Sequence, residues 1–147
     1  WNKSAEWNIF WDPFAVDWLF RNTDFPIILA PLDVSDPVKV TLGFMDQLKN
    51  QSEKGSLVST LAYQGYSLTS NEPFYRMWDV VAAVVFKRYD LYERSVMKLR
   101  VETQLPDQGA LKKDPNGREM VVLNSINDLD AFYDCVLQQF NLPPTGA

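Results

Sequence analysis

The sequence predicts a mixed α/β domain, and three observations carry that expectation. Two apolar runs have strand length, "FPIILAPL" (25–32) and "EMVVLNSI" (119–126). The first sits between prolines, as buried parallel strands often do. Segments with apolar residues at i and i+4 alternate with these runs, around 13–21 and 129–140. The length of 147 residues suits one core, since chains of this size bury roughly 70% of their unfolded surface. Helices interleaved with apolar strands pack as α/β layers.

Each element follows from local chemistry. Asp12-Pro13 reads as an N-cap and a proline at the first helical position, where its missing N–H costs nothing. The helix that follows runs to about Arg21, with Phe14/Trp18 and Val16/Phe20 as i, i+4 pairs. Residues 26–32 are the expected buried strand. A helix is expected to start near Pro37 and run to Lys49, and another to cover 56–65. "GYSLTSNEPFYR" (65–76) is Gly- and Pro-marked and polar, long enough for a functional loop. "MWDVVAAVVFKRY" (77–89) is apolar on nearly every face and predicts a buried helix. "SVMKLRVET" (95–103) alternates as a strand. Ser125 or Asn127 caps a last helix whose apolar side is Leu129, Phe132, Tyr133, Val136, Leu137 and Phe140; Cys135 is buried in it. "NLPPTGA" is a frayed end.

The composition narrows the chemistry. Apolar residues make up 46% and charged residues 22%, which excludes intrinsic disorder. With a net charge of −5 and no Lys/Arg cluster beyond a pair, a nucleic-acid footprint is not expected. Apolar runs stay below the ~18 residues of a membrane span, and there is no secretory segment. One cysteine suits a reducing, cytoplasmic setting. The chain contains no histidine. That removes Ser–His–Asp and Cys–His mechanisms and imidazole-based zinc sites, leaving carboxylates, hydroxyls, amides or a hard metal ion. The chain opens on Trp1 rather than Met, so it is expected to be a fragment or a processed piece.

The stretch "SAEWNIFWDPFAVDWLF" (4–20) asks for a reason, because a plain apolar segment needs no Glu6 and Asn8 on alternate positions beside indoles. "AEWNIFWDPFAVDWLF", "PIILAPLDVSDPV", "MWDVVAAVVF", "LRVET" and "NDLDAFYD" resemble, in order and spacing, the C-terminal half of the nucleoside hydrolase family. The resemblance covers almost the whole chain and implies the C-terminal portion of an open, mixed or mostly parallel sheet flanked by helices. Trp7 and the pair Trp78-Asp79 are similar to the purine-preferring inosine-adenosine-guanosine branch. Other branches carry His where Trp78 stands, in keeping with the absence of histidine.

This resemblance implies a purine nucleosidase that cleaves the N-glycosidic bond with water through an oxocarbenium-like transition state. A single Ca2+ would hold the water and the ribose 2′- and 3′-hydroxyls, with Asp79 among its oxygen ligands. Glu6 and Asn8 match the residues that hydrogen-bond the ribose. In an extended segment, period-2 alternation would aim both at one sugar, with Trp7 beside them. Trp78 matches the indole that stacks on the purine. Tyr75 and Arg76, at the end of the 65–76 loop, are expected to contact base or 5′-hydroxyl. Asn2 does not match a further family Asn, since its spacing to Glu6 differs. The Asp-rich motif that supplies the other calcium ligands and the water-activating Asp would precede Trp1, so no catalytic residue is expected within this chain. The implied whole is a cytoplasmic homodimer acting in purine salvage, with 1–147 as the C-terminal part of one domain and the N-terminal half of the same protein as partner.

Each of these residues also has a plainer reading. Glu6 and Asn8 can hydrogen-bond nearby backbone, Asp79 can cap the helix it precedes, and Trp78 can be core. "DLDAFYD" (128–134) mimics D-x-D-x-x-x-D, but its helical periodicity makes it a capped surface helix rather than a metal site. "LDVSDP" reads as a turn into a helix, which leaves Asp33 out of the site. Two other functions stay open: a nucleoside- or ribose-binding homologue without calcium chemistry, and a structural homologue without ligand.

Overall fold

A computed structural model of the chain describes Asn2 and residues 4–51, 56–58, 60, 61, 64, 65 and 75–140. In chain order the elements are α1 (Trp7–Trp11), α2 (Pro13–Asn22), β1 (Ile28–Leu29), α3 (Leu32–Ser35), β2 (Lys39–Val40) and α4 (Leu42–Gln51). After them come β3 (Tyr75–Arg76), α5 (Trp78–Val84), a 3-10 turn (Tyr89–Leu91), β4 (Tyr92–Val101), β5 (Leu111–Lys113), β6 (Arg118–Ile126) and α6 (Leu129–Phe140). Their contacts form two compact units, Trp1–Leu32 with Arg94–Ser125, and Asp33–Glu93 with Ile126–Ala147.

The first unit is built on a sheet of order β1-β6-β4-β5. β1 runs parallel to β6, Ile28 opposite Val121, and β4 runs antiparallel to β5, Leu99 opposite Lys113. The α/β class is as expected; the sheet, expected to be mixed or mostly parallel, is mixed and mostly antiparallel, with one parallel pair among the described strands. Leu99, Met120 and Val122 form its buried centre, with Phe20, Ile27, Leu29, Met97 and Leu111 against them. Asp12 Oδ1 accepts from the Ala15 N–H at 2.9 Å, so α2 starts as the sequence predicts. The 103–110 loop lies on the opening segment. The Asn2 amide donates to the carbonyls of Pro106 (2.9 Å) and Gln108 (3.0 Å), and Gln108 Nε2 donates to the Phe10 carbonyl. Gly109 has φ 85°, and a Cβ there would stand 2.6 Å from Phe10 Cα, so only glycine allows this approach.

In the second unit β2 and β3 pair antiparallel, Lys39 opposite Arg76 and Val40 opposite Tyr75. Thr41 Oγ1 accepts from the Phe44 N–H and caps α4. Val38, Val81 and Phe132 are fully buried. The Tyr92 hydroxyl donates to the Val81 carbonyl at 2.8 Å, and the Tyr133 hydroxyl donates to the Lys39 carbonyl at 2.6 Å. Cys135 is buried and free, as expected. No helix among the described residues is long and apolar enough to cross a membrane.

Several expectations are corrected. The buried strand over 26–32 is two residues long at one end of the sheet order, with Ile28 exposed. Pro26 and Pro31 have no N–H for a ladder and confine it. The helix from Pro37 is replaced by a turn, β2 and then α4, because β-branched Val38, Val40 and Thr41 favour extended backbone. The 77–89 helix is α5, seven residues long and buried on one face only: Val81 and Val84 are buried, whereas Trp78 and Val80 are exposed. Phe86, beyond its end, is 92% exposed. Asp128, rather than Ser125 or Asn127, caps α6, accepting from the Ala131 N–H at 2.9 Å. The described residues of 56–65 are helical apart from Ser56. Residues 66–74 of the expected loop, and 141–147, lie outside the described residues.

Candidate functional site

Glu6, Trp7 and Asn8 belong to the first unit. They were expected on an extended segment, and the structure corrects this: Glu6 is extended, but Trp7 opens α1. On a helix successive side chains turn by about 100°, so period-2 alternation does not govern Asn8. Five residues make a helix too short to stand on its own. It is held by the bond from Phe10 N–H to the Glu6 carbonyl at 2.8 Å, by buried Ile9 and by the loop at Gly109. Both Glu6 carboxylate oxygens lie within reach of the Leu32 N–H, at 3.0 and 3.2 Å. This is the backbone bond that the plainer reading names. Trp7 stands edge-on to Trp11 with ring centroids 5.4 Å apart. The Asn8 side chain is exposed, with no hydrogen-bond partner among the described residues.

Tyr75, Arg76, Trp78 and Asp79 belong to the second unit. β3 carries the first two, and α5 begins at Trp78. The Tyr75 and Trp78 rings meet edge-to-face at 5.6 Å, and both are exposed. The indole is therefore not core. Asp79, in the first turn of α5, is exposed, and its carboxylate has no hydrogen bond or ion pair among the described residues. The capping role is not taken up, since no side chain caps this helix. Calcium requires hard oxygen donors, and an open carboxylate of this kind fits as one of them. Among the described residues no three His, Cys, Asp or Glu side chains converge on a metal position. Asp79 can therefore contribute to a calcium shell but does not complete one. Asp36, which the sequence reading did not single out, bonds two of the expected residues: its Oδ1 accepts from Trp78 Nε1 at 2.8 Å, and its carbonyl accepts from the Arg76 guanidinium. Nothing in the local sequence marks it, because "SDP" reads equally well as a turn.

A cavity of about 830 Å³ in the first unit lies among Phe20, Ile27, Leu99, Arg118 and Met120, and none of the expected site residues lines it. Its arginines are already engaged: Arg21 by Asp17, Arg100 by Glu102 and Asp114, and Arg118 by the carbonyls of Thr23 and Phe25.

None of the curated proteins matches this chain in sequence. Among solved structures it is similar to the inosine-uridine preferring nucleoside hydrolase from Bacillus anthracis, at 26% identity and a TM-score of 0.78, over 94% of this chain and 44% of that one. It is similar in fold to the purine-preferring ribonucleoside hydrolase from Gardnerella vaginalis, at 20% identity and a TM-score of 0.73, over 95% and 48% of the two chains. An inosine-guanosine nucleoside hydrolase gives 21% identity and a TM-score of 0.76, over 95% and 47%. The chain thus spans about half the length of these relatives. Residues 1–134 match the family model described as inosine-uridine preferring nucleoside hydrolase, and the chain belongs to that family.

Proposed function

We propose that the protein containing this chain hydrolyses the N-glycosidic bond of purine ribonucleosides, releasing free base and ribose. The observation that carries this reading is the exposed Trp78 indole directly before the open Asp79 carboxylate at the start of α5. In this reading Trp78 stacks on the base, where a flat electron-rich face favours a purine gaining positive charge. Glu6 and Asn8 bind ribose hydroxyls, Trp7 packs beside them, and Tyr75 and Arg76 contact the base or the 5′-hydroxyl. Asp79 is the contribution of this chain to a Ca2+ site. Bound calcium would orient the attacking water and the 2′- and 3′-hydroxyls. The remaining ligands and the water-activating Asp come from the N-terminal half of the same protein. Similarity to purine-preferring and inosine-guanosine hydrolases supports the purine preference. A cytoplasmic setting, a homodimer and a role in purine salvage rest on the sequence reading and the family resemblance.

The test is hydrolysis of inosine, adenosine and uridine by the complete protein, with and without a calcium chelator. The expected outcome is chelator-sensitive cleavage that favours the purines, and loss of that preference in Trp78→Ala, since stacking favours the larger base. Tight nucleoside binding without turnover would point to a binding homologue instead. Chelator-insensitive activity would mean that the site has been assigned to the wrong residues.

A further inference from the structure

Two side chains of the proposed base site share one anchor. The Asp36 carboxylate accepts the Trp78 indole N–H at 2.8 Å and lies 3.8 Å from Arg76 Nε, while the Asp36 carbonyl accepts from the same guanidinium. The backbone brings them together. Lys39 pairs with Arg76, and the Met77 N–H donates to the Val38 carbonyl at 3.0 Å, which extends the ladder one step toward Asp36. Tyr75 meets the indole edge-to-face. Because Trp78 is 41% exposed, packing covers only part of it, and the rest of its orientation depends on its one polar handle. A charged acceptor makes that handle a stronger hydrogen bond than a neutral one.

We infer that Asp36 is a positioning residue that fixes the Trp78 indole plane and thereby sets the purine preference. This rests on the base-stacking reading of Trp78. Asp36 touches neither the sugar nor the reacting atoms in this scheme. It acts through the indole it holds.

The experiment compares Asp36→Ala, Asp36→Asn, Trp78→Phe, Trp78→Ala and the double variant Asp36→Ala/Trp78→Phe in the complete protein. Each is assayed for kcat and KM on inosine and uridine, and the indole N–H resonances are recorded on 15N-tryptophan-labelled protein. Asp36→Ala should lower the inosine-to-uridine ratio of kcat/KM roughly three- to tenfold, the usual worth of one net hydrogen bond. The loss should fall on the inosine KM, with uridine turnover unmoved, and the Trp78 N–H signal should shift upfield. Asp36→Asn keeps an acceptor oxygen and should retain most of the ratio. In the Trp78→Phe background, which lacks the donor, Asp36→Ala should add nothing. If Asp36→Ala does not fold, Asp36→Leu, which also lacks an acceptor, is read in its place: a lowered ratio supports the role of Asp36 and an unchanged one overturns it. An unchanged ratio in Asp36→Ala beside a lowered one in Trp78→Ala overturns the role of Asp36. An unchanged ratio in Trp78→Ala instead overturns the base-stacking reading, and the inferred control of purine preference falls with it; the indole resonance then shows whether Asp36 holds the ring at all.

Discussion

Asp79 and Glu6 are both carboxylates, and their surroundings separate what a substitution would do. Asp79 is exposed and has no partner among the described residues, so Asp79→Asn takes nothing from the fold. In the proposed site it removes one negative charge from the calcium shell. The complete protein should bind calcium more weakly and turn over more slowly, with an unchanged melting temperature; calcium titration by calorimetry beside the inosine assay checks this. A variant as active as its parent would remove Asp79 from the metal shell. Glu6 differs because the Leu32 N–H already occupies part of its carboxylate. Glu6→Gln keeps one acceptor oxygen for that bond and weakens a second, charged one. If the sugar contact tightens as the ribosyl group gains charge, the loss belongs to the transition state and shows in kcat. A charged hydrogen bond is worth about 1.5–3 kcal/mol, or roughly ten- to a hundredfold in rate. A rise in KM with kcat unchanged would assign Glu6 to ground-state binding only. Both residues were singled out in the sequence through the family resemblance. Asp36 was not, because its role depends on pairing with a strand some 40 residues away, which no local pattern reports.

At the level of elements, the Asp12 cap of α2 and the centre of the α6 stripe were legible, whereas the Asp128 cap of α6 and the extents of the apolar segments were not. Asp12-Pro13 and the centre of the α6 stripe, Phe132, Val136 and Leu137, depend on contacts within a few residues and form as the sequence predicts, whereas Leu129 and Phe140 at the ends of that stripe are exposed. The runs at 25–32 and 77–89 promised a buried strand and a buried helix because apolar content says how much surface wants cover. It does not say which neighbour supplies that cover. Prolines clip the first to two residues, and in the second Val81 and Val84 are covered while Val80 and Phe86 are not. α5 is tied to the start of β4 by the Tyr92 hydroxyl on the Val81 carbonyl, and α6 to β2 by Tyr133. Burial raises the ionisation point of both phenols, strongly for Tyr92, from the ordinary value of 10. In the unfolded chain each phenol ionises near pH 10, while in the folded chain it stays neutral. This contribution is therefore complete below about pH 10 and falls away as the pH rises through the raised folded values. Melting temperature should decline above about pH 10, and Tyr92→Phe should be less stable at neutral pH but show a shallower alkaline decline. An equally steep decline in the variant would exclude Tyr92 as its source.

For the molecule as a whole, the decisive feature is how much aromatic surface the first unit leaves uncovered. Two i, i+4 pairs face outward, Trp7/Trp11 on α1 and Phe14/Trp18 on α2, and Trp11, Phe14 and Trp18 are each roughly two-thirds exposed. Scattered exposed apolar residues are ordinary, but contiguous aromatic surface on consecutive helices drives association. Charge does little to oppose it, since a net charge of −5 spread over 147 residues is modest. The isolated 1–147 polypeptide should therefore self-associate at micromolar concentration and bind a hydrophobic dye. Replacing Phe14 with Glu and Trp18 with Lys removes two rings that are each 63% exposed, so the fold should survive. The double variant should elute closer to monomer size and bind less dye, with a far-ultraviolet circular dichroism spectrum like its parent's. If the unaltered 1–147 chain instead runs as a monomer with a sharp two-state melt, these helices carry their aromatics without needing cover, and the same rings cannot be counted as an association surface in the complete protein.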